Sequence, residues 1–309
     1  MLKTVVCYKT HILNKIILDF IKKLFNDCDN SNKQILDNFK GEHDIDFYLL
    51  IPDYLEKDLP DNFKFFTKIY KEEDIQNLYE GFYSMWLSNH FIELWFYKNF
   101  GDKYNYFWFM EYDVRILGDS SYFWRNELTQ DLLVPRNITL ADSSWKFYNY
   151  IHESFQENER YACPKQLCRI SKKLLNKLDE LFIEGINGHC ELILGCVCKK
   201  YNFSFDHTFL NTRIQGIWTH NSDFSGYNLE SYNKLIGPTI FKPYIFHPIK
   251  IIKKEEKQQE SIKRSNNTIK LENKLENKNI NEKKQIQKNT FREEKKENTS
   301  KKILIKKKI

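Results

Sequence analysis

Glu111, Asp113 and Arg115 close a run of aromatic and apolar residues, YNYFWFMEYDVR over 104–115, in a chain of 309 residues. The run suits a buried strand, and carboxylates are costly to bury without a partner. An apolar strand that ends in two of them points to a bound cation or cationic ligand. On a strand, residues i and i+2 face the same way with Cα atoms about 6.5–7 Å apart. Glu111 and Asp113 therefore address one ligand from one side while Tyr112 packs the other way. That separation favours Asp113 on the ion and Glu111 acting through water or a ligand hydroxyl. Mg²⁺ and Mn²⁺ suit such a place, because they accept few carboxylate oxygens and complete their shell with water and substrate phosphates. Arg115 is expected to pair with Glu111 or Asp113, or with phosphates; a structural ion pair is the commoner fate of such an arginine. The plainer reading of an acidic pair at a strand end is a turn or cap.

The elements that must position these residues are legible as alternating strands and helices. Residues 3–8 read as a first strand, followed by helical spacing through Ile12, Ile16, Phe20, Ile21 and Leu24. Residues 46–52 (DFYLLIP) read as a second strand, 64–70 as a short third and 72–79 as a short helix. A longer helix is expected over 84–100, with Trp86, Phe91, Leu94, Trp95 and Tyr97 for packing and Gly101 as a left-handed C-terminal cap. Beyond the acidic strand, 131–135 and 162–170 look extended and 172–183 is an amphipathic helix stopped by Gly185. A helix over 189–201, a short strand over 203–209 and a closing segment 244–250 follow. The expected fold class is α/β, a mainly parallel central sheet flanked by helices, with ligands at the C-terminal ends of its strands.

Charge and aromatic content divide the chain at residue 250. Residues 251–309 hold 19 Lys+Arg, 9 Asp+Glu and a single aromatic, Phe291, which leaves 29 basic and 33 acidic residues in 1–250. The overall charge of +6 thus belongs to the tail, not to the part rich enough in Phe, Tyr and Trp to build a core. We expect one domain, 1–250, and a basic low-complexity tail, 251–309, too polar to offset its ordering entropy and so disordered. KKILIKKKI at 301–309 makes peripheral contact with an anionic membrane the functional alternative to a merely solvated extension. The apolar run at the start is too short for a secretory signal, and seven cysteines, an odd number, fit reduced thiols in a cytoplasm.

Three blocks resemble the glycosyltransferase-like proteins of GT-A type: FWFMEYDVRILGDSSYFW (107–124), GHCELILGCVCKK (188–200) and YIFHPIK (244–250). The resemblance implies a nucleotide-sugar-binding α/β fold with an acidic DxD-type element after a central strand. Asp113 matches the second acidic position, which holds Mn²⁺ or Mg²⁺ against the donor diphosphate, and Glu111 replaces the first Asp. It further implies His247 as a third metal ligand, with Lys250 available to a phosphate. Glu191 stands where an inverting transferase keeps the base for the acceptor hydroxyl. Thr10 and His11 fall where the nucleotide lies, and Asp53 where the base or ribose does. The residues themselves leave alternatives: His247 also fits a terminal turn, and Glu191 a helix-start carboxylate or, in a retaining enzyme, an acceptor contact.

Competing chemistries are less well supported. The cysteine spacings, C-x₄-C over 163–168 and C-x₅-C-x-C over 190–198, lack the paired C-x₂-C knuckles of zinc sites. Neither G-x-G-x-x-G nor a P-loop occurs. The sequence therefore points to a metal-dependent hexosyltransferase-like enzyme acting on a nucleotide-sugar donor and a glycan or other hydroxyl acceptor. The alternative is a non-catalytic glycan- or nucleic-acid-binding protein using the aromatic body and basic tail. Nucleic acid is disfavoured by the acidic body.

Overall fold

The computed structural model describes residues 2–38, 43–82, 84–85, 87–219, 222–236 and 242–250. The expected tail, 251–309, lies outside the described residues, as does Trp86. The strands are β1 (Leu2–Lys9), β2 (His43–Pro52), β3 (Thr67–Tyr70), β4 (Tyr106–Glu111), β5 (Arg115–Leu117), β6 (Leu132–Leu133), β7 (Thr139–Leu140), β8 (Tyr161–Ala162), β9 (Leu167–Ser171), β10 (Phe205–Asp206) and β11 (Tyr244–Phe246). The helices are α1 (Lys15–Asn38), α2 (Glu72–Gln76), α3 (His90–Phe100), α4 (Ser121–Trp124), α5 (Lys172–Ile183), α6 (Cys190–Lys200), α7 (Thr208–Asn211) and α8 (Ser225–Leu235).

Seven strands form the central sheet in the order β10-β6-β9-β4-β1-β2-β3. The run β4-β1-β2-β3 is parallel throughout, and β9 lies antiparallel to both its neighbours. The fold is thus mixed α/β with a mostly parallel sheet. Strands buried on both faces read as near-continuous apolar runs, and β1 shows why. Its alternate residues Val5 and Cys7 join Phe107 and Phe109 under α3, α5 and α6. Val6 and Tyr8 join Trp108, Met110 and the Ile17, Phe20, Ile21 and Leu24 stripe of α1 on the other face. Phe107, Trp108 and Phe109 are fully buried, and burying one such ring is worth about 1.5–3 kcal/mol. The end of β4 is therefore held by packing on both sides before any polar contact forms.

Local departures from the expected elements have physical causes. The first helix begins at Lys15, so Ile12 lies in the preceding loop and Ile16 is half exposed. Residues 61–66 wind as a 3-10 turn before β3. The third helix, α3, starts at His90, later than 84. Gly185 does end α5 in the left-handed region, φ 78°, and Ile186 N–H donates to Leu181 O at 2.8 Å. Gly101 does not: its φ of −82° and ψ of −15° are ordinary for any residue. What requires glycine there is the close approach of Tyr97, whose carbonyl oxygen would lie 2.4 Å from an added Cβ.

Gly101→Ala should therefore destabilise the fold by about 1–3 kcal/mol through overpacking alone, read by urea unfolding. An unchanged midpoint would show that Tyr97 moves aside without cost.

Candidate functional site

A second, two-stranded pairing completes the acidic strand end. β4 stops at Glu111, the chain turns through Tyr112 and Asp113, and β5 leaves antiparallel to β11. The pairing of Phe246 with Arg115 places His247 beside Asp113, and Ile249 N–H donates to Asp113 O at 2.7 Å. Glu111, Asp113 and His247 each offer a ligand atom within 4.8 Å of the others. Asp113 thus reaches the cluster from a turn, not along a continuing strand, so the strand spacing between the two carboxylates does not govern their separation.

The cluster borders a cleft of about 450 Å³ at the C-terminal ends of the parallel strands. Lys9, Thr10 and His11 line it from the end of β1, Tyr54 from just beyond β2, Tyr70 from the end of β3, and Asn89 from the start of α3. Glu111, Asp113 and Lys250 complete the chemistry-bearing wall. Asp113 is 5% exposed and its Oδ1 accepts no hydrogen bond among the described residues. His247 Nε2 stands 3.6 Å from that oxygen. Burial, then the neighbouring Glu111 carboxylate, push the Asp113 pKa up to about 7 against the opposing charges of Lys250 and Arg115. A buried carboxylate oxygen without a donor, facing a second carboxylate and an imidazole, is a donor set that fits a divalent cation.

Of the residues expected from sequence, Glu111, Asp113 and His247 converge, and Thr10, His11 and Lys250 share their cleft. His11 packs edge-on against Tyr112 with ring centroids 4.5 Å apart. Arg115 does not line the cleft and needs correction. Its Nη1 donates to the carbonyls of Tyr112 at 2.5 Å and Val114 at 2.8 Å, and the guanidinium lies 4.7 Å over Phe20. It pins the turn that presents Asp113. Asp53 is also off the cleft, exposed at the start of a 3-10 turn, and its neighbour Tyr54 takes the lining position. Glu191 is buried on α6 and accepts a hydrogen bond from Gln166 Nε2. Burial and the charge of Glu111 raise its pKa to about 8. Glu191 does not line the cleft and senses its charge through Glu111.

Sequence reading missed the polar row behind Glu111. Asn89 Nδ2 donates to Glu111 Oε1 at 2.7 Å, and Lys9 Nζ donates to Asn89 Oδ1 at 2.6 Å. Lys9 also pairs with Glu93, whose other oxygen takes Lys165 Nζ at 2.7 Å. Burial alone would raise the Glu93 carboxyl, but Lys165 and Lys9 hold it below its ordinary value. The one sequence signal was Lys9 at the end of an apolar strand; its partners lie too far along the chain for local pattern to join them.

Removing one partner of a buried pair leaves an uncompensated charge, so Glu93→Gln should cost about 3–5 kcal/mol. Because the Glu93 pKa is depressed, its contribution is full above the ordinary value of 4.5 and lost as pH falls through the folded value. The urea-unfolding gap between wild type and variant should accordingly be full at neutral pH and close in acid. Asp113 has the opposite sign: its raised pKa makes the metal-free protein lose stability as pH climbs from 3.8 towards 7. Asp113→Asn should remove that loss and unfold no earlier than wild type at neutral pH. A lower melting temperature would mean that Asp113 is a structural partner.

No family model matches the chain, and no curated protein matches it in sequence. Solved structures to which it is similar include galactosyltransferase LgtC in complex with donor and acceptor sugar analogues, at 11% identity over 81% of this chain and 87% of that one, TM-score 0.37. The apo glycosyltransferase GlyE of Streptococcus pneumoniae TIGR4 matches at 12% identity over 80% of this chain and 54% of that one, TM-score 0.37. The 4-diphosphocytidyl-2C-methyl-D-erythritol synthase of Anaerococcus prevotii DSM 20548 matches at 10% over 66% and 87%, TM-score 0.36. Likeness at this level carries no functional argument, which rests on the cleft. Among the described residues, no helix is long and apolar enough to cross a membrane.

Proposed function

We propose that the chain is a metal-dependent, GT-A-like glycosyltransferase that moves a sugar from a nucleotide diphosphate donor to a hydroxyl acceptor. The observation that carries this reading is the convergence of Glu111, Asp113 and His247 within 4.8 Å at the end of the parallel strands, with a buried Asp113 oxygen that accepts no hydrogen bond among the described residues. These residues would hold Mn²⁺ or Mg²⁺, with imidazole favouring Mn²⁺. When bound, the ion supplies positive charge opposite a departing diphosphate.

The remaining chemistry is the chain's own. Lys250 lines the same cleft and offers a cation to a phosphate oxygen. Tyr54, Tyr70 and the His11–Tyr112 pair give the cleft aromatic surface against which a base or sugar ring can pack. Arg115, by holding the carbonyls on either side of Asp113, keeps the turn from relaxing when the carboxylate changes partner. Glu111, held from behind by Asn89, presents its carboxylate to the same space.

Screening nucleotide sugars by thermal unfolding, with and without Mn²⁺, tests the reading. A donor at about a hundredfold its Kd adds about 2.7 kcal/mol, a shift of roughly 5–10 °C for a domain of this size. The shift should need Mn²⁺ and should vanish, together with donor turnover, in Asp113→Ala. Normal turnover by that variant would remove the assignment, and glycan binding without any nucleotide response would favour a non-catalytic binder.

A further inference from the structure

Glu111 is the least buried of the three clustered side chains, and a long carboxylate at a strand end needs a second contact to hold one position. Its backbone N–H already donates to Gln166 O at 2.9 Å. Its side chain is held by Asn89 Nδ2 at 2.7 Å. An amide has a donor end and an acceptor end, and its neighbours decide which way it faces. Lys9 is a donor only, so its 2.6 Å contact fixes Oδ1 of Asn89 towards Lys9 and leaves the NH₂ towards Glu111. Lys9 is itself fixed by Glu93, and Glu93 by Lys165; these three side chains are 7%, 2% and 1% exposed. Donor and acceptor alternate along the whole row, so no member can reverse without opposing like groups. A triad that merely filled the core would not require an amide at its cleft end to bridge to Glu111.

We propose that Asn89, held in one orientation by the Lys9–Glu93–Lys165 row, is a positioning residue that aims the Glu111 carboxylate at the space shared with Asp113 and His247. The inference rests on the metal reading of the cleft. Loss of such an orienting partner typically weakens metal binding by about 10–100-fold.

Mn²⁺ titration of the full chain, with free ion followed by electron paramagnetic resonance, tests it beside thermal unfolding of the same metal-free proteins. Asn89→Ala should bind Mn²⁺ about 10–100-fold more weakly than wild type with its melting temperature little changed. Asn89→Asp should lose at least as much, because aspartate still accepts from Lys9 but donates nothing to Glu111 and repels it. Should the aspartate variant not fold, Asn89→Ser, too short to bridge, carries the same expectation. If the folded variants bind Mn²⁺ within twofold of wild type while Asp113→Asn does not bind, the positioning role is overturned and the cleft reading stands. A wild type that binds no Mn²⁺ overturns both.

Discussion

Burial of charge at one end of the sheet is the constraint on which the rest of this structure depends. Glu93, Asp113 and Glu191 are buried where apolar strands and helices exclude water, and the charge of the partly buried Glu111 acts on both Asp113 and Glu191. They are not equally provided for. Two lysines neutralise Glu93, and Asn89 donates to Glu111. Asp113 and Glu191 instead meet their burial and the Glu111 charge with raised pKa values. A protein arranged only for stability would replace such groups with apolar ones of similar volume. Keeping them at a cleft, with one oxygen left without a donor, is the arrangement expected where a cation completes the balance.

Topology brings the groups together. The parallel run β4-β1-β2-β3 delivers Lys9 and Glu111 to the same end, and their register places Lys9 directly opposite Glu111. The short β5–β11 pairing returns the distant 244–250 segment to the turn after β4 and seats His247 and Lys250 there. Arg115 serves both: in β5 it belongs to the pairing, and its guanidinium fastens the turn that carries Asp113. The site is therefore built by two small junctions on a packed frame, not by a flexible loop.

What was legible in the sequence follows from range. An apolar strand ending in carboxylates is a local pattern, as are the apolar strands β1 and β2 and an amphipathic helix stopped by Gly185, and each of these elements is present. Gly101 was misjudged because a glycine after a helix reads the same whether it turns left-handed or merely makes room for Tyr97. Arg115 was expected among the cleft charges, but its Nη1 is taken by backbone carbonyls, which no sequence pattern displays. Glu191 was placed on the right helix, and a helix start does not say which partner its first turn meets, here Gln166. Lys9, Asn89, Glu93 and Lys165 read singly as ordinary polar residues; the row they form is tertiary throughout. The tail's charge is plain in the sequence, and its residues lie outside those described.

On this view Asp113, Glu111 and His247 form one cation site. Crystals of the metal-free protein soaked in Mn²⁺ and measured at the manganese absorption edge test it most directly. A single strong anomalous peak among these three side chains, with the Asp113 Oδ1 atom turned onto it, is expected. A cleft without such a peak, with Asp113 and His247 closed on one another at full Mn²⁺ loading, would contradict it.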